Sequence, residues 1–490
     1  MIVGADTEWS REGIDVLGLA WDNGLRCTAT ARDPASLAQY LDILRKSETV
    51  VGQNFIDADC MMMAKEGIDV SRLTPKVFDI RLAFHATHGH LAGTGSYDLR
   101  SIVLLLGGRQ GQRFPLEWKQ YESDLHKTCA FDAAAALWCY PTLQRLVASG
   151  RLENTVSIAH SVAPIFAAMR DQGVRLDRTV LEQIYSARKE SAEATIERYG
   201  LWETRGKKVI KKVPIWRSDK ILDVCQQQFG IRPKNRQRAT WVNLSQSNSL
   251  SAEAKEFLDA VISLGKGAND AHWLGVAEET EDGVDFEKVG ADGFIYPRYD
   301  ICGSPDRAIA SSPNIQNFPR PDDDPRPVPL RRAVVPLDPS HVILGVDFGS
   351  VETITNAIES QDWDRVQATL AKRITHEGTA KILNDAFGLS LNRQQGKAVN
   401  HGFDKGESPY NLARTIFKTD RPSRQQTAQC TTIFHRMLAE YPKTAKFRED
   451  LWERSRENPL VVTNSFGRRL MCFSRSKYGD ADERWAKHVP

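Results

Sequence analysis

The sequence predicts a mixed α/β fold, with an alternating strand–helix unit at the front and a largely helical remainder. Two observations carry this. In the first 150 residues short apolar runs alternate with amphipathic stretches, the pattern of a layered α/β domain. From about Leu152 onward long stretches of helical period dominate, broken by Pro- and Ser-rich segments.

The elements follow in order. Met1–Ala5 reads as an apolar strand running into Asp6, Thr7 and Glu8, and Val16–Ala20 and Val50–Gly52 read as further strands. Asp33–Lys46 predicts an amphipathic helix with Leu37, Tyr40, Leu41 and Leu44 on one face, and Ala130–Leu146 an Ala/Leu-rich helix. Val156–Arg170 and Thr179–Trp202 predict long helices joined by a turn at 173–177. The polar Asn243–Ser251 and acidic Glu278–Glu287 read as loops. Beyond the Pro- and Ser-rich Ser311–Pro329, Val342–Val346 reads as an apolar strand, followed by several helices. These changes of texture divide the chain into 1–150, 151–290 and 291–490.

Composition narrows the function classes. The 490 residues are 41% hydrophobic and 26% charged, with a net charge of +2, which excludes a uniformly basic protein but not a basic patch. The opening MIVGADTEWS carries Asp6 and Glu8 where a signal peptide needs an apolar core, and no apolar run approaches the ~18 residues of a membrane helix, so a cytoplasmic protein with no membrane partner is expected. Eight cysteines without a C-x-x-C pair argue against structural zinc and for free thiols. Between Arg205 and Arg238, eleven Lys or Arg, including Lys207, Lys208, Lys211 and Lys212, face only Asp219 and Asp223. Such a run is either a solvated helix face or a surface that tracks phosphates.

One constellation is acidic. Alternate residues of a strand share a face, so Asp6 and Glu8 project into one site, where two hard oxygen ligands suit Mg²⁺. Gly52-Gln53-Asn54, followed by Asp57 and Asp59, ends another strand, and Asp132 is expected at the start of a helix, where the positive end favours a carboxylate. Four carboxylates from separate segments suit two Mg²⁺ ions. This pattern resembles the 3′–5′ exonuclease domain of the DEDD superfamily over about residues 1–145, with a ribonuclease H-like fold implied. The resemblance assigns Asp6, Glu8, Asp59 (with Asp57 the alternative) and Asp132 as catalytic metal ligands, and Phe78–Ile80 and Tyr97–Leu99 as structural segments. The family's Tyr or His before the last Asp is replaced by Thr128 and Lys127; His126 either serves from a shifted register or has no role.

A second constellation is a strand-end acid followed by a cationic helix. Asp347 ends Leu344–Val346, with Glu352 five residues on, and Arg393, Lys397 and His401 recur at i, i+4 spacing on one helical stripe. Two cations on one face suit a triphosphate, and the His401 ring can pack on a base or sugar. Together with Arg307, the run Ser311-Ser312-Pro313-Asn314-Ile315-Gln316-Asn317, Arg331–Val334, His376 and Gly467–Leu470, these segments resemble family A DNA polymerases of the bacterial polymerase I and phage type. The resemblance implies a helical thumb over 151–290 and part of a palm and fingers over 291–490. It implies that Asp347 binds metal, Glu352 acts as a gate against a 2′-OH, Arg393, Lys397, His401 and His376 bind a dNTP, and Arg307, Asn314, Gln316 and Asn317 contact primer–template, with the basic run of Lys207, Lys208, Lys211 and Lys212 in or near the thumb and contacting the DNA backbone. His401 and Lys405 stand where the family has aromatic residues. The family's H-D-E motif is not found; Glu483–Pro490 resembles the approach to it. The expectation is the N-terminal part of a split or truncated polymerase with proofreading, whose remaining palm comes from a second polypeptide. The rivals are a stand-alone Mg²⁺-dependent exonuclease and a non-catalytic primer–template binding subunit.

Overall fold

A computed structural model describes residues 1–89, 97–111, 123–201, 203–205, 208–210, 219–234, 238–245, 250–275, 277–280, 283–303, 307–319, 321, 328–417, 419, 421–454, 461–463 and 469–471. It is a mixed α/β structure that divides into two compact units. Met1–Ile165, Ile301–Arg307 and Val346–Pro490 form one, and Phe166–Asp300 with Ala308–Gly345 the other.

The first unit contains a five-stranded sheet built from β1 (Ile2–Ser10), β2 (Gly13–Trp21), β3 (Arg26–Ala31), β4 (Thr49–Gly52) and β5 (Val77–Asp79), in the order β3-β2-β1-β4-β5. β1, β2 and β3 form an antiparallel meander, whereas β4 pairs parallel with both β1 and β5. Helix Pro34–Lys46 starts on Asp33, whose carboxylate accepts from the Ala35 and Ser36 N–H groups, a side-chain cap on the free donors of the first turn. Helix Leu125–Gly150 is Ala-rich for a packing reason. A Cβ on Gly4 would lie 2.3 Å from the Ala133 carbonyl oxygen, so sheet and helix meet backbone to backbone. Val51, Ile80, Phe84, Ala133, Ala136, Leu137 and Leu143 fill one core, while Val3, Leu17, Leu44, Val50, Phe55 and Met63 fill another.

The same unit carries helices Val351–Glu359, Trp363–Leu370, His376–Phe387, Arg393–Asp404, Pro409–Phe417, Arg424–Glu440 and Pro442–Arg454. Their core is Leu383, Val399, Phe403, Leu412, Ile416, Ile433 and Phe434. The second unit contains helices Arg178–Tyr199, Asp219–Phe229, Arg238–Ser245 and Ala252–Leu274, around Trp241, Phe257, Leu258 and Val261.

Four expectations are corrected. Asp132 is not at a helix start: its helix begins at Leu125 on an Asp124 cap, two turns earlier. Part of Asn243–Ser251 is the end of helix Arg238–Ser245. Glu278–Glu287 contains an antiparallel hairpin, Ala277–Thr280 with Gly283–Phe286, because alternation brings Val284 and Phe286 onto an apolar cluster. Val342–Val346 forms no strand; Val342, Leu344 and Val346 are more than 80% exposed, and a strand needs a hydrogen-bonded neighbour, which no described strand supplies. No helix among the described residues is long and apolar enough to cross a membrane. Among them seven cysteines are free thiols, six buried and Cys27 exposed.

Candidate metal centre and nucleotide-binding ridge

On β1, Asp6 and Glu8 face one side and the intervening Thr7 faces the core. Helix Leu125–Gly150 packs across β1 and adds Asp132 from its third turn. Ligand oxygens of Asp6, Glu8 and Asp132 lie within 4.8 Å of one another, a spacing that one divalent ion with oxygen ligands spans. Backbone contacts fix the arrangement: Tyr40 Oη donates to the Asp6 carbonyl at 3.3 Å, and Cys129 Sγ lies 3.6 Å from the same oxygen.

Asp59 stands apart from this trio, although β1 holds it. It opens helix Asp59–Lys65, and its Oδ1 accepts from the Thr7 N–H at 2.8 Å and the Thr7 hydroxyl at 2.5 Å. Thr7 is the residue that sequence reading missed; its signal was its place between two site acids, on the opposite face of the strand. Asp57 lies in the β4–Asp59 connection, half-buried.

The acids stress one another. Burial, then the neighbouring Asp59, Asp132 and Glu8 charges, lift the Asp6 carboxyl well above the usual carboxylate range. Burial and Asp132 raise Glu8, and burial pushes Asp59 to about 7 against the opposing Thr7 hydrogen bonds. Such a cluster favours either protons or a cation; a hard divalent ion such as Mg²⁺ fits the all-oxygen donor set. His126 is exposed in the first turn, Lys127 pairs with Asp124 at 3.1 Å, and Thr128 is half-buried. Asp79 has a structural task, accepting from the Asn54 and Ile56 N–H groups at 3.0 and 3.3 Å and so shaping the turn after β4.

The predicted cationic stripe is helix Arg393–Asp404, started by a reciprocal cap between Asn392 and Gln395. Arg393 pairs with Glu377 at 2.5 Å, and Lys397 is half-buried and forms no ion pair among the described residues. His376 begins the preceding helix, and its ring centroid lies 5.7 Å from that of His401.

Glu352 is brought to this stripe. It occupies the first turn of helix Val351–Glu359, with its carboxylate 2.5 Å from His401 Nδ1, 2.9 Å from Arg307 and 3.3 Å from Lys405. Burial alone would raise the Glu352 carboxyl, but His401, Lys405 and Arg307 outweigh it and hold it below the ordinary value. Asp347 lies outside regular secondary structure on an exposed stretch. In the second unit Asn314 is half-buried and Asn317 exposed, while Gln316 braces its own loop, accepting from the Ala310 N–H at 3.0 Å and donating to the Ala308 carbonyl at 2.9 Å. Lys208 begins a short strand paired with Glu203–Arg205. Lys207, Lys211, Lys212, Gly467, Arg468 and Glu483–Pro490 lie outside the described residues.

The fold is shared with a solved DNA polymerase domain. The whole chain superimposes on 82% of the POL domain of Pol1 from M. smegmatis, solved in complex with DNA primer–template and dNTP, with a TM-score of 0.71 at 17% identity. Residues 289–487 match the model of DNA polymerase family A. The chain is also similar to DNA polymerase I of Geobacillus stearothermophilus, 24% identical over 69% of this chain and 37% of that protein. It is 29% identical to DNA polymerase I of Caldicellulosiruptor bescii over 35% of this chain and 18% of that protein. The chain thus spans little more than a third, at most, of the length of these relatives.

Proposed function

We propose that the chain performs DNA-templated DNA synthesis with 3′–5′ proofreading, as one part of a polymerase. The observation that carries the synthetic half is the docking of Glu352 on the helix of Arg393, Lys397 and His401: it joins the acid-bearing 347–352 segment to the cationic stripe. In this reading Arg393 and Lys397 neutralise the triphosphate of a dNTP, His401 packs on its base or sugar, and Glu352 excludes a 2′-OH. Asp347 contributes one metal-ligating carboxylate. An H-D-E segment supplies the other, because bridging two ions takes more than one acid.

Proofreading rests on Asp6, Glu8 and Asp132, with Asp59 held at their edge by Thr7. Bound there, Mg²⁺ would lower the pKa of a water molecule and stabilise a leaving 3′ oxygen. The three carboxylates hold and orient this site. Primer extension tests both halves. Incorporation of dNTPs should depend on an H-D-E segment, supplied in the same or an added polypeptide, and Asp6→Ala should abolish Mg²⁺-dependent degradation of single strands without abolishing synthesis.

A second reading is favoured by one contrast: the acidic trio is assembled within this chain, whereas Asp347 has no such cluster among the described residues. The chain is then a stand-alone 3′–5′ exonuclease. Degradation that Asp6→Ala abolishes, without incorporation under any complementation, selects it. DNA affinity that weakens with salt and no degradation selects the primer–template binding subunit instead.

A further inference from the structure

Asn400 sits on helix Arg393–Asp404 one residue before His401 and is 5% exposed. Its Oδ1 accepts from the Thr379 hydroxyl at 3.1 Å, which leaves its Nδ2 facing His376 Nδ1, also at 3.1 Å. An amide nitrogen only donates, so His376 Nδ1 must offer its lone pair and the ring proton must sit on Nε2. A protonated His376 would set two N–H groups head to head.

Packing makes the contact rigid. A Cβ on Gly396 would lie 2.1 Å from the His376 carbonyl oxygen, so the two helices touch at the His376 end and no larger residue fits. The charges around the ring agree. Burial first, then His401, Arg393 and Lys397 on the facing helix, push His376 below its ordinary value, opposed by Glu377 on its own helix.

We infer that Asn400 is a positioning residue that fixes His376 as the neutral tautomer protonated on Nε2. Resting on the nucleotide-binding reading proposed above, this sets one uncharged N–H donor among the cations of the stripe. Such a donor binds a phosphate oxygen of a dNTP by geometry and adds no charge to the site.

Long-range ¹H–¹⁵N spectra of the full chain, with ¹⁵N-labelled histidine and His376 assigned through His376→Gln, test this at pH 8. The expected signature is Nε2–H. Asn400→Asp replaces the donor with an acceptor, so the ring proton should move to Nδ1 and the His376 titration midpoint should rise. Thr379→Val, a milder change, frees the amide to rotate and should give a mixture of tautomers. A wild-type Nδ1–H signature, or spectra unmoved by both substitutions, overturns the inference. Titration with dATP and Mg²⁺ tests the reading beneath it: Asn400→Asp should weaken binding about tenfold, the weight of one hydrogen bond to a charged group. Failure of the wild type to bind dATP sinks that reading, while the spectra still decide the tautomer.

Discussion

Lys405 Nζ stands 3.3 Å from Glu352 Oε1, one helical turn beyond His401, whose Nδ1 meets the other oxygen of the same carboxylate. The residues at 401 and 405 therefore act on a single acid. Where the resemblance leads one to expect aromatic side chains, this chain holds Glu352 by charge.

Lys405→Met should accordingly raise the Glu352 pKa, because one of the cations that depress it is gone. The folded-state value lies below the unfolded one, so the group stabilises the fold above the unfolded carboxylate pKa and loses that contribution as pH falls through the folded value. Lys405 is 57% and Glu352 28% exposed, so global stability should change by less than about 1 kcal/mol. Carboxyl ¹³C titration reads the shift, and 1 M salt should shrink the difference between the two chains.

A buried ion pair anchors the C-terminal end of the stripe. Arg365 and Asp404 are 2% and 3% exposed and pair directly, Thr353 donates to the other Asp404 oxygen at 2.6 Å, and the Arg365 guanidinium lies 4.6 Å from the Tyr441 ring centre. Asp404→Ala leaves an arginine charge buried without its partner and should cost about 3–5 kcal/mol in denaturant unfolding. Arg365→Met combined with Asp404→Leu removes both charges and should recover most of that loss. A double variant as unstable as the single one refutes the charge argument.

Much of this arrangement was legible in the sequence because it follows element periods. The two-residue period of a strand put Asp6 and Glu8 together, and the i, i+4 period put Arg393, Lys397 and His401 in one stripe. The rest depends on contacts between distant segments, which no local period encodes. Thr7 holding Asp59 spans 52 residues, and Asn400 orienting His376 spans 24. Val342–Val346 reads as a strand locally, but strand formation is a property of a pair, and its neighbour is not within that stretch.

The acidic cluster makes stability depend on pH in a stated direction. Burial pushes Asp59 up to about 7 in the folded chain, against about 3.9 when unfolded, and Asp6 and Glu8 shift the same way. The folded state therefore binds more protons in that window, and the stabilisation present below the unfolded pKa is lost as pH rises towards 7. In EDTA the melting temperature should fall between pH 5 and pH 7.5. Mg²⁺ should raise it more at pH 7.5 than at pH 5, and Asp6→Asn should flatten the EDTA profile. A profile that rises with pH in EDTA rules out the strained cluster.

Gly4 tests whether sheet and helix must touch for the centre to exist. Its missing side chain lets the Ala133 carbonyl approach to where a Cβ would be 2.3 Å away, and the Leu137 Cβ would lie 2.9 Å from the same point. Ala133 follows Asp132, so a methyl group on β1 pushes against the turn of helix that carries the third carboxylate. Backbone cannot swing aside as a flexible side chain can. Gly4→Ala should therefore destabilise the chain by about 1–3 kcal/mol, as overpacking of a filled core does. It should also weaken Mg²⁺ binding at the trio, read by calorimetry, whereas Gly67→Ala, strained by its positive φ but with no atom within 4 Å of a Cβ, should cost stability and leave Mg²⁺ binding unchanged. Unaltered Mg²⁺ affinity in folded Gly4→Ala would show that Asp132 is not positioned by this contact.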